Sequence, residues 1–326
     1  RAETQKTKFW MNSLRLDQEV SDIANLTVLG SITKKTNTTI FSYPYAYVTG
    51  VTTGDGAAYS LGEADALIKT VEARLASAGD GPFKWLVGVS YLQAKKNSYD
   101  QIFQAGAADY IDANPDLFGG YSGAQLTPGD RLYGYFTKST NEDFGVFGEL
   151  SYKPVEQIEI TLGGRYYDTT AKADVLNQAG ALGGYEGGYT PTDSSGSVNQ
   201  KEDGFLPKAT IAWRPSKDVM VYATYSQGYR VGGINPNAGL LPSIPEAYES
   251  DKVKNYEIGV KAQTPDGRFA IDLTGFHLDW NNIQARLFGP APSYYSYVVN
   301  AGGARVNGVE FSGTVNVNKI VHFTTN

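Results

Sequence analysis

The residue types that most often perform catalysis are scarce in this sequence. It contains two histidines, His277 and His322, and no cysteine, which excludes disulfides, thiolate metal sites and a cysteine nucleophile. A serine hydrolase would need one of these histidines beside an activated serine, and no Gly-x-Ser-x-Gly element occurs. His277 precedes Asp279 by two residues, which could form a metal pair, but an ordinary strand histidine is the favoured interpretation. We therefore expect no catalytic residue, no metal site, no cofactor and no enzymatic activity.

Charged residues recur at alternate positions of several segments, which places them on one face of a strand. The carboxylates are Glu149, Glu159, Glu257, Asp272 and Glu310, and the cations are Arg165, Lys208, Arg214 and Lys261. We expect them to hydrate an interior or to pair with one another, and a glycosidase-type carboxylate pair is the less favoured alternative. The glycine-rich stretches 180–188 and 228–233 do not lead from a strand into a helix, so they lack the context of a phosphate-binding loop.

Tyrosine is the most suggestive residue type for ligand binding, because it joins a large apolar ring to a hydrogen-bonding tip at low entropy cost. Tyrosines cluster in the long connections, and Arg230 at a strand-to-loop junction could meet an anionic group. The candidate ligand-binding residues are Tyr43, Tyr45, Tyr47, Tyr121, Tyr133, Tyr135, Tyr185, Tyr189, Arg230, Tyr294, Tyr295 and Tyr297. The alternative is that these side chains pack the loops on themselves or face lipopolysaccharide.

The elements that carry these residues alternate with period two. In Ile158–Tyr167, isoleucine, leucine and tyrosine share one face while glutamate, threonine and arginine share the other. Similar alternation marks Phe83–Tyr91, Phe205–Arg214 and Val309–Val317. Such a pattern is typical of a wall that faces lipid on one side and water on the other, although a soluble sandwich alternates in the same way.

Connection lengths favour the membrane wall. Short turns join alternating segments at Val20–Ala24, Ser77–Gly81, Pro154–Gln157, Pro215–Asp218 and Thr264–Gly267. Long connections are expected at Asn37–Leu67, Lys95–Asn141, Thr170–Asp203 and Tyr229–Lys252. Short turns on one side and long loops on the other predict an all-β, antiparallel transmembrane β-barrel, with about eleven or twelve strands in this chain. Aromatic residues near segment ends agree with interfacial girdles.

Three regions fit this pattern less well. Arg1–Val20 alternates poorly, and Leu61–Leu75 could form a short helix, although a loop followed by a strand is preferred. Between Gly275 and Trp280 the apolar phase shifts by one residue, and a β-bulge is the simplest explanation.

The amino-acid composition is also typical of a β-rich protein that does not bind nucleic acid. The net charge of −6 makes nucleic acid an unlikely partner. Charged residues make up 19% of the chain, below the roughly 25% of soluble domains. The 23 tyrosines and 37 glycines, with only 2 methionines, indicate a β-rich chain.

Several stretches resemble the barrel of TonB-dependent outer-membrane receptors, over most of residues 65–315. They are Gly81–Gly88, Val146–Tyr152, Leu162–Arg165, Phe205–Asn235, Tyr248–Lys261, Phe276–Gln284 and Val299–Glu310. The resemblance implies a barrel of 22 strands, an N-terminal plug domain and energy from the inner-membrane TonB complex. Residues 1–326 are thus expected to be a portion of the barrel domain, with the plug and the final strands outside this sequence.

The resemblance also implies a function and a location. We expect a receptor in the outer membrane of a Gram-negative bacterium that imports a scarce nutrient, such as a siderophore, cobalamin or a carbohydrate-like compound. Its partners would be that small molecule, the TonB complex, and the surrounding lipid and lipopolysaccharide. The alternatives are a passive porin and a soluble all-β binding protein.

Overall fold

A computed structural model describes residues 3–43, 58–178, 193–235, 244–288, 296–316 and 322–325. The strands are β1 (Thr4–Ser21), β2 (Ala24–Tyr43), β3 (Ala58–Ser77), β4 (Phe83–Phe103), β5 (Arg131–Val155), β6 (Ile158–Gln178), β7 (Ser194–Ser216), β8 (Val219–Arg230), β9 (Gly233–Ile234), β10 (Ala247–Tyr248), β11 (Asp251–Gln263), β12 (Phe269–Asn281), β13 (Gln284–Phe288), β14 (Ser296–Asn300), β15 (Gly303–Asn316) and β16 (His322–Thr325). The helices are α1 (Ala107–Ala113) and α2 (Gly123–Leu126), with 3-10 turns at Pro115–Phe118 and Pro128–Asp130. None of the helices among the described residues is long and apolar enough to cross a membrane.

Twelve strands form one antiparallel sheet in the order β1-β2-β3-β4-β5-β6-β7-β8-β11-β12-β15-β16. Each strand pairs with its neighbours along the chain, apart from two small hairpins, β9–β10 and β13–β14, that lie within long connections. The all-β prediction and the strand count of eleven or twelve are therefore confirmed.

All five predicted short turns are confirmed, since each lies between consecutive strands of the large sheet. We call the opposite end of the sheet, where the long connections lie, the distal end. The strands reach further toward it than predicted: β2 continues to Tyr43, β4 to Phe103 and β6 to Gln178. About ten residues cross a membrane, whereas β5 has 25 residues. Beyond the membrane neither face of such a strand lies against lipid, so strict alternation is lost, and the distal part of β5 carries Leu132, Tyr135 and Phe136 among polar residues.

The irregular regions also differ from prediction. The poorly alternating N-terminal stretch is strand β1, and the stretch with a possible helix lies within β3. The bulge predicted between Gly275 and Trp280 is wrong, because β12 pairs in unbroken register with β11 and β15. Register shifts occur instead at the ends of other strands, as between Trp213 and Ser216. The apolar residues change from odd to even positions along β12 because the outer face of the strand passes from an apolar to a polar environment.

The two faces of the sheet differ sharply. One, the apolar face, carries exposed side chains such as Leu162, Ile258 and Val309, which are 59%, 64% and 74% exposed. Aromatic rings mark it near the short turns, where Phe83 stacks on Tyr152 with ring centroids 4.5 Å apart. The other, the polar face, carries the charged pairs described below. Because a single sheet has no second layer to cover it, buried residues concentrate in the distal connections, as in the cluster Ala107, Ile111, Phe118, Leu126 and Leu132.

Candidate ligand-binding site at the distal end

Ion pairs run along the polar face. Lys208 Nζ lies 2.8 Å from Glu149 Oε1, Arg214 Nη1 lies 2.9 Å from Glu159 Oε2, and Lys261 Nζ lies 2.7 Å from Asp272 Oδ2. These pairs confirm the interpretation for Glu149, Glu159 and Asp272, whose charges are neutralised by cations on an adjacent strand or, for Lys208 and Glu149, across the strand between them. Because these charges cancel in pairs, this part of the polar wall offers a ligand hydrogen-bonding groups rather than a strong electric field.

A fourth cation takes a partner that the sequence did not single out. Arg165 Nη2 lies 2.6 Å from Asp143 Oδ1, and its Nη1 donates to Ser90 Oγ at 3.0 Å. Asp143 also accepts a hydrogen bond from the Tyr229 hydroxyl, and the Tyr229 ring stacks on Tyr167 with centroids 3.9 Å apart. Tyr167 is 1% exposed, so this cluster is a fixed part of the wall.

Strands β7 and β8 separate distally, which explains how Tyr229 of β8 reaches Asp143 of β5. Their pairing ends at Lys208 and Ser226, and beyond it β8 pairs with β11 alone. A carboxylate spans this gap: Glu202 of β7 accepts hydrogen bonds from the Ser250 backbone N–H at 3.0 and 3.1 Å and from its hydroxyl. The long connection before β11 is thereby fastened to the polar wall.

Arg230, a predicted ligand-binding residue, is held by groups of the chain itself. Its guanidinium pairs with Asp251, whose side chain is 2% exposed, and lies 5.4 Å from the centroid of the Trp280 ring. Asp251 also accepts from the Gln284 backbone N–H at 3.1 Å. Half of the Arg230 side chain remains exposed, but its charge is already balanced. A ligand contact by Arg230 stays a prediction.

Two amide side chains, buried Asn235 and partly exposed Asn300, join two long connections. Asn235, 1% exposed, donates from Nδ2 to the carbonyls of Pro245 at 3.0 Å and Val298 at 2.7 Å, and its Oδ1 accepts from the Val298 N–H at 2.7 Å. Asn300 donates to the Glu249 carbonyl at 2.8 Å and accepts from the Glu249 N–H at 2.7 Å. The amide groups thus take the place of a strand pairing between the connections.

We call the joined segments the loop cap: the described residues of 231–250, from the connection before β11, and of 282–302, from the connection before β15. The side chain of Gln284 strengthens it, because its Nε2 atom lies 3.2, 2.9 and 3.1 Å from the carbonyls of Arg230, Val231 and Glu249 and shares its two N–H groups among them. Ile234 of the cap packs on a buried cluster that includes Tyr135 and Val175. The cap therefore lies against the distal polar wall and covers part of it.

The predicted tyrosines lie in different surroundings. Tyr135 is 7% exposed within the cluster under Ile234, Tyr133 packs beside it, and Tyr121 packs on the helical cluster before β5. These three support the alternative in which loop tyrosines pack on the protein itself. Tyr43 and Tyr297 are half-buried at the ends of β2 and β14. The remaining six candidates, Tyr45, Tyr47, Tyr185, Tyr189, Tyr294 and Tyr295, lie outside the described residues.

A small polar cavity lies beside Tyr135, in the distal parts of β2, β3 and β4. It has a volume of ≈ 270 Å³ and is lined by Thr39, Ser60, Ser98 and Asp100, among others. Asp100 is the register partner of Tyr135 and lies beyond the membrane-spanning part of β4. Burial raises the pKa of Asp100, while the nearby Lys96 opposes that effect. Sequence reasoning missed this cavity, because its hydroxyl groups come from three strands.

His277 lies away from this site, on the apolar face. Its Nδ1 donates to Asn307 Oδ1 at 2.6 Å, and its Nε2 lies 3.4 Å from Asp279 Oδ2. Within the described part of the chain, no group of three histidine, aspartate or glutamate residues could hold a metal ion. The polar chemistry of the distal end therefore rests on amides, hydroxyls and neutralised ion pairs.

A wall of long antiparallel strands with one apolar face, one polar face and short turns at one end is the architecture of a transmembrane β-barrel wall. The family model for the TonB dependent receptor-like β-barrel matches residues 1–326. The chain belongs to this family, whose members are transport receptors of the Gram-negative outer membrane.

Similar proteins agree with this assignment. Over 119 residues the chain is 29% identical to the metal-pseudopaline receptor CntO of Pseudomonas aeruginosa, covering 36% of this chain and 15% of that receptor. The ferric yersiniabactin uptake receptor FyuA of Yersinia pestis has the same fold, with a TM-score of 0.72 at 13% identity over 97% of this chain and 41% of that one. The siderophore receptor PiuA of Acinetobacter baumannii gives 0.66 at 16% identity, covering 97% and 45%. This chain thus spans less than half the length of these receptors.

Proposed function

We propose that the protein binds a metal chelate of the siderophore type at the distal end and imports it with energy from the inner-membrane TonB complex. The loop cap is the observation that carries this proposal. A passive channel needs a free path along its polar face, whereas here the amide side chains of Asn235 and Asn300 hold two connections over the distal part of that face. The names of the metal-pseudopaline and siderophore receptors support the choice of ligand class.

The paired charges of the polar wall limit the net charge expected of the ligand. The cations Arg165, Lys208, Arg214, Arg230 and Lys261 of the polar wall and the cap junction all pair with carboxylates. A strongly anionic chelate would have to break such pairs, which costs free energy, or rely on the few distal cations outside them, such as Arg131 and Arg286. Neutral donors, hydroxyls and tyrosine rings suit a chelate of low net charge. We therefore propose a hydroxamate-like or mixed-ligand chelate rather than a tris-catecholate.

Uptake of radioactive iron tests the proposal. The full-length protein would be produced in the outer membrane of cells that lack their own siderophore receptors, in strains with and without a functional TonB complex. We expect saturable uptake of a neutral ferric hydroxamate only in the strain with TonB. Uptake that is linear in concentration and equal in both strains would establish the porin alternative and overturn the proposal.

Competition experiments in the same cells test the charge argument separately. An excess of unlabelled neutral hydroxamate chelate should inhibit uptake, while a trianionic catecholate chelate at the same concentration should not. Equal inhibition by both would contradict selection by charge and leave the transport role in place.

A further inference from the structure

The small polar cavity in the distal parts of β2, β3 and β4 carries charges of both signs. It lies on the polar face of the wall, because Asp100 is the register partner of Tyr135, which shares one face of β5 with Asp143. Its volume is ≈ 270 Å³. Pockets for whole drug-sized ligands span roughly 300–1,000 Å³, so this cavity fits one arm of a larger ligand.

Small residues of β3 form the floor of the cavity. Gly62 is the register partner of Thr39 on β2 and of Asp100 on β4. A Cβ atom added to Gly62 would lie 2.8 Å from Asp100 Oδ1. The carboxylate therefore leans over a position that has no side chain. Ala64 continues the floor beside Ser98, so side chains of β2 and β4 form the two walls.

The distal half of the cavity offers oxygen atoms that are free to accept hydrogen bonds. Among the described residues, no hydrogen bond or ion pair involves the Asp100 carboxylate or the hydroxyls of Ser60 and Ser98. The Thr39 hydroxyl accepts from Asn37 Nδ2 at 2.9 Å and retains a second lone pair. An ammonium group has three donors, and a carboxylate with hydroxyls around it supplies the acceptors for them.

The opposite end of the cavity, toward the membrane, is cationic. Ala66 on the floor has Lys35 of β2 as its register partner on one side and Lys96 of β4 on the other. Both lysines are exposed, and neither takes part in an ion pair within the described ranges. Lys96 and Asp100 thus line one cavity without pairing with each other. Glu63 also borders it, but period two places that side chain on the other face of β3.

We propose that this cavity binds a zwitterionic arm of the imported ligand, such as a free amino acid group attached to the metal chelate. The ammonium would donate to Asp100 and the neighbouring hydroxyls, and the carboxylate would lie toward Lys96 and Lys35. This assignment rests on the proposed function and adds one chemical group to the ligand. A zwitterion matches both ends of the cavity and leaves the net charge of the chelate unchanged. A simple cation or anion would match one end and be repelled by the other.

Binding of three matched ferric chelates to the purified full-length protein tests the proposal. The chelates share one tris-hydroxamate core and differ in a single arm, which ends in a free amino acid, in its N-acetylated form or in an uncharged amide. Dissociation constants would be measured from the quenching of tryptophan fluorescence. We expect the wild type to bind the free amino acid form about tenfold more tightly than either of the other two, as one charge-assisted hydrogen bond would give.

Variants assign this preference to the cavity. Asp100→Asn, and separately Lys35→Gln with Lys96→Gln, should each remove most of the preference and bind the uncharged amide form with the wild-type affinity. Asp168→Asn is the matched control. Asp168 is an exposed carboxylate on the apolar face of the wall, where its register partner is Phe144. Its replacement should leave the preference at the wild-type level.

Two results would overturn the assignment and leave the proposed transport in place. One is equal affinity of the wild type for all three chelates, and the other is a preference that persists in the Asp100 and lysine variants. A variant that loses the uncharged amide form to the same extent would show a purely structural role for the cavity, which also contradicts the assignment. If the wild type binds none of the three chelates, the proposed ligand class is wrong and the assignment is wrong with it.

Discussion

Asn235 is the most buried of the side chains that join the loop cap, and Asn235→Ala should make the cap open more readily. Asn235 makes three hydrogen bonds, to the Pro245 carbonyl and to the N–H and carbonyl of Val298. Alanine provides no donor or acceptor, so those backbone groups lose their partners in a site where the native residue is 1% exposed. The perturbation acts on contacts between the two connections and leaves the strands of the large sheet intact.

The size of the effect follows from the hydrogen bonds. Each contributes about 0.5–1.5 kcal/mol net, so their loss should lower the free energy of cap opening by about 3 kcal/mol. At 1.4 kcal/mol per factor of ten, the opening equilibrium shifts on the order of a hundredfold. Amide exchange through local opening reports such a shift directly.

Hydrogen exchange of the purified protein in detergent is the assay. The Val298 amide, whose N–H is bonded to Asn235, should exchange about a hundred times faster in Asn235→Ala. Amides of β5 and β6 near Gly148 should be unchanged. Asn199→Ala is the control, because Asn199 is exposed on β7. Wild-type exchange at Val298 in Asn235→Ala would refute the idea that this side chain joins the connections.

Three further predictions concern the polar wall and its junction with the cap. Asp143→Asn removes the charge partner of Arg165. Because both side chains are partly exposed, we expect the free energy of unfolding to fall by about 1 kcal/mol. The folded band should disappear from unboiled gels at a lower temperature, and an unchanged temperature would contradict this prediction. Burial raises the pKa of Tyr135 to about 12 from 10.0, in a distal segment beyond the membrane. The neutral phenol therefore stabilises the folded state fully below pH 10, and this contribution, at most ~2.7 kcal/mol, is lost as the pH rises toward 12. Between pH 10 and 12 the denaturant midpoint should fall more steeply for the wild type than for Tyr135→Phe. Parallel curves for the two proteins would exclude the mechanism. Glu202→Gln replaces a carboxylate that accepts from the Ser250 N–H and hydroxyl, so the Ser250 amide should exchange at least tenfold faster, whereas equal rates would show that the gap between β7 and β8 is closed by other contacts.

The sequence predicted the wall well and the candidate site poorly. Alternation placed Lys208 and Glu149 on one face, and their ion pair spans the strand between them, where Gly163 is the register partner of both and has no side chain to separate them. Tyr135 shows the opposite case. Its loop-like surroundings suggested an accessible ring, but it lies on a long strand beneath Ile234 of the cap. Nothing in the residues around position 135 indicates which distant segment covers them.

The phase change along β12 shows how one local signal can have two causes. A shift from Leu273 to Phe276 in the apolar pattern predicts a bulge when only the period is considered. The register shows a regular strand whose surroundings change at Gly275. A bulge moves the backbone, whereas a membrane boundary changes which side chains are favoured on each face. Sequence alone cannot separate these effects, because both invert the alternation.

What the sequence by itself determined is the class of structure: strands of period two, five short turns, an apolar and a polar face, and hence a barrel wall of the TonB-dependent receptor family. These features arise from interactions between residues that are near in the chain or in adjacent strands. Only the tertiary structure decided the site. Arg165 meets Ser90 across 75 residues, and Asn235 meets Val298 across 63. Such contacts depend on the path of whole connections, and buried amides can satisfy almost any backbone group, so no local spacing specifies them.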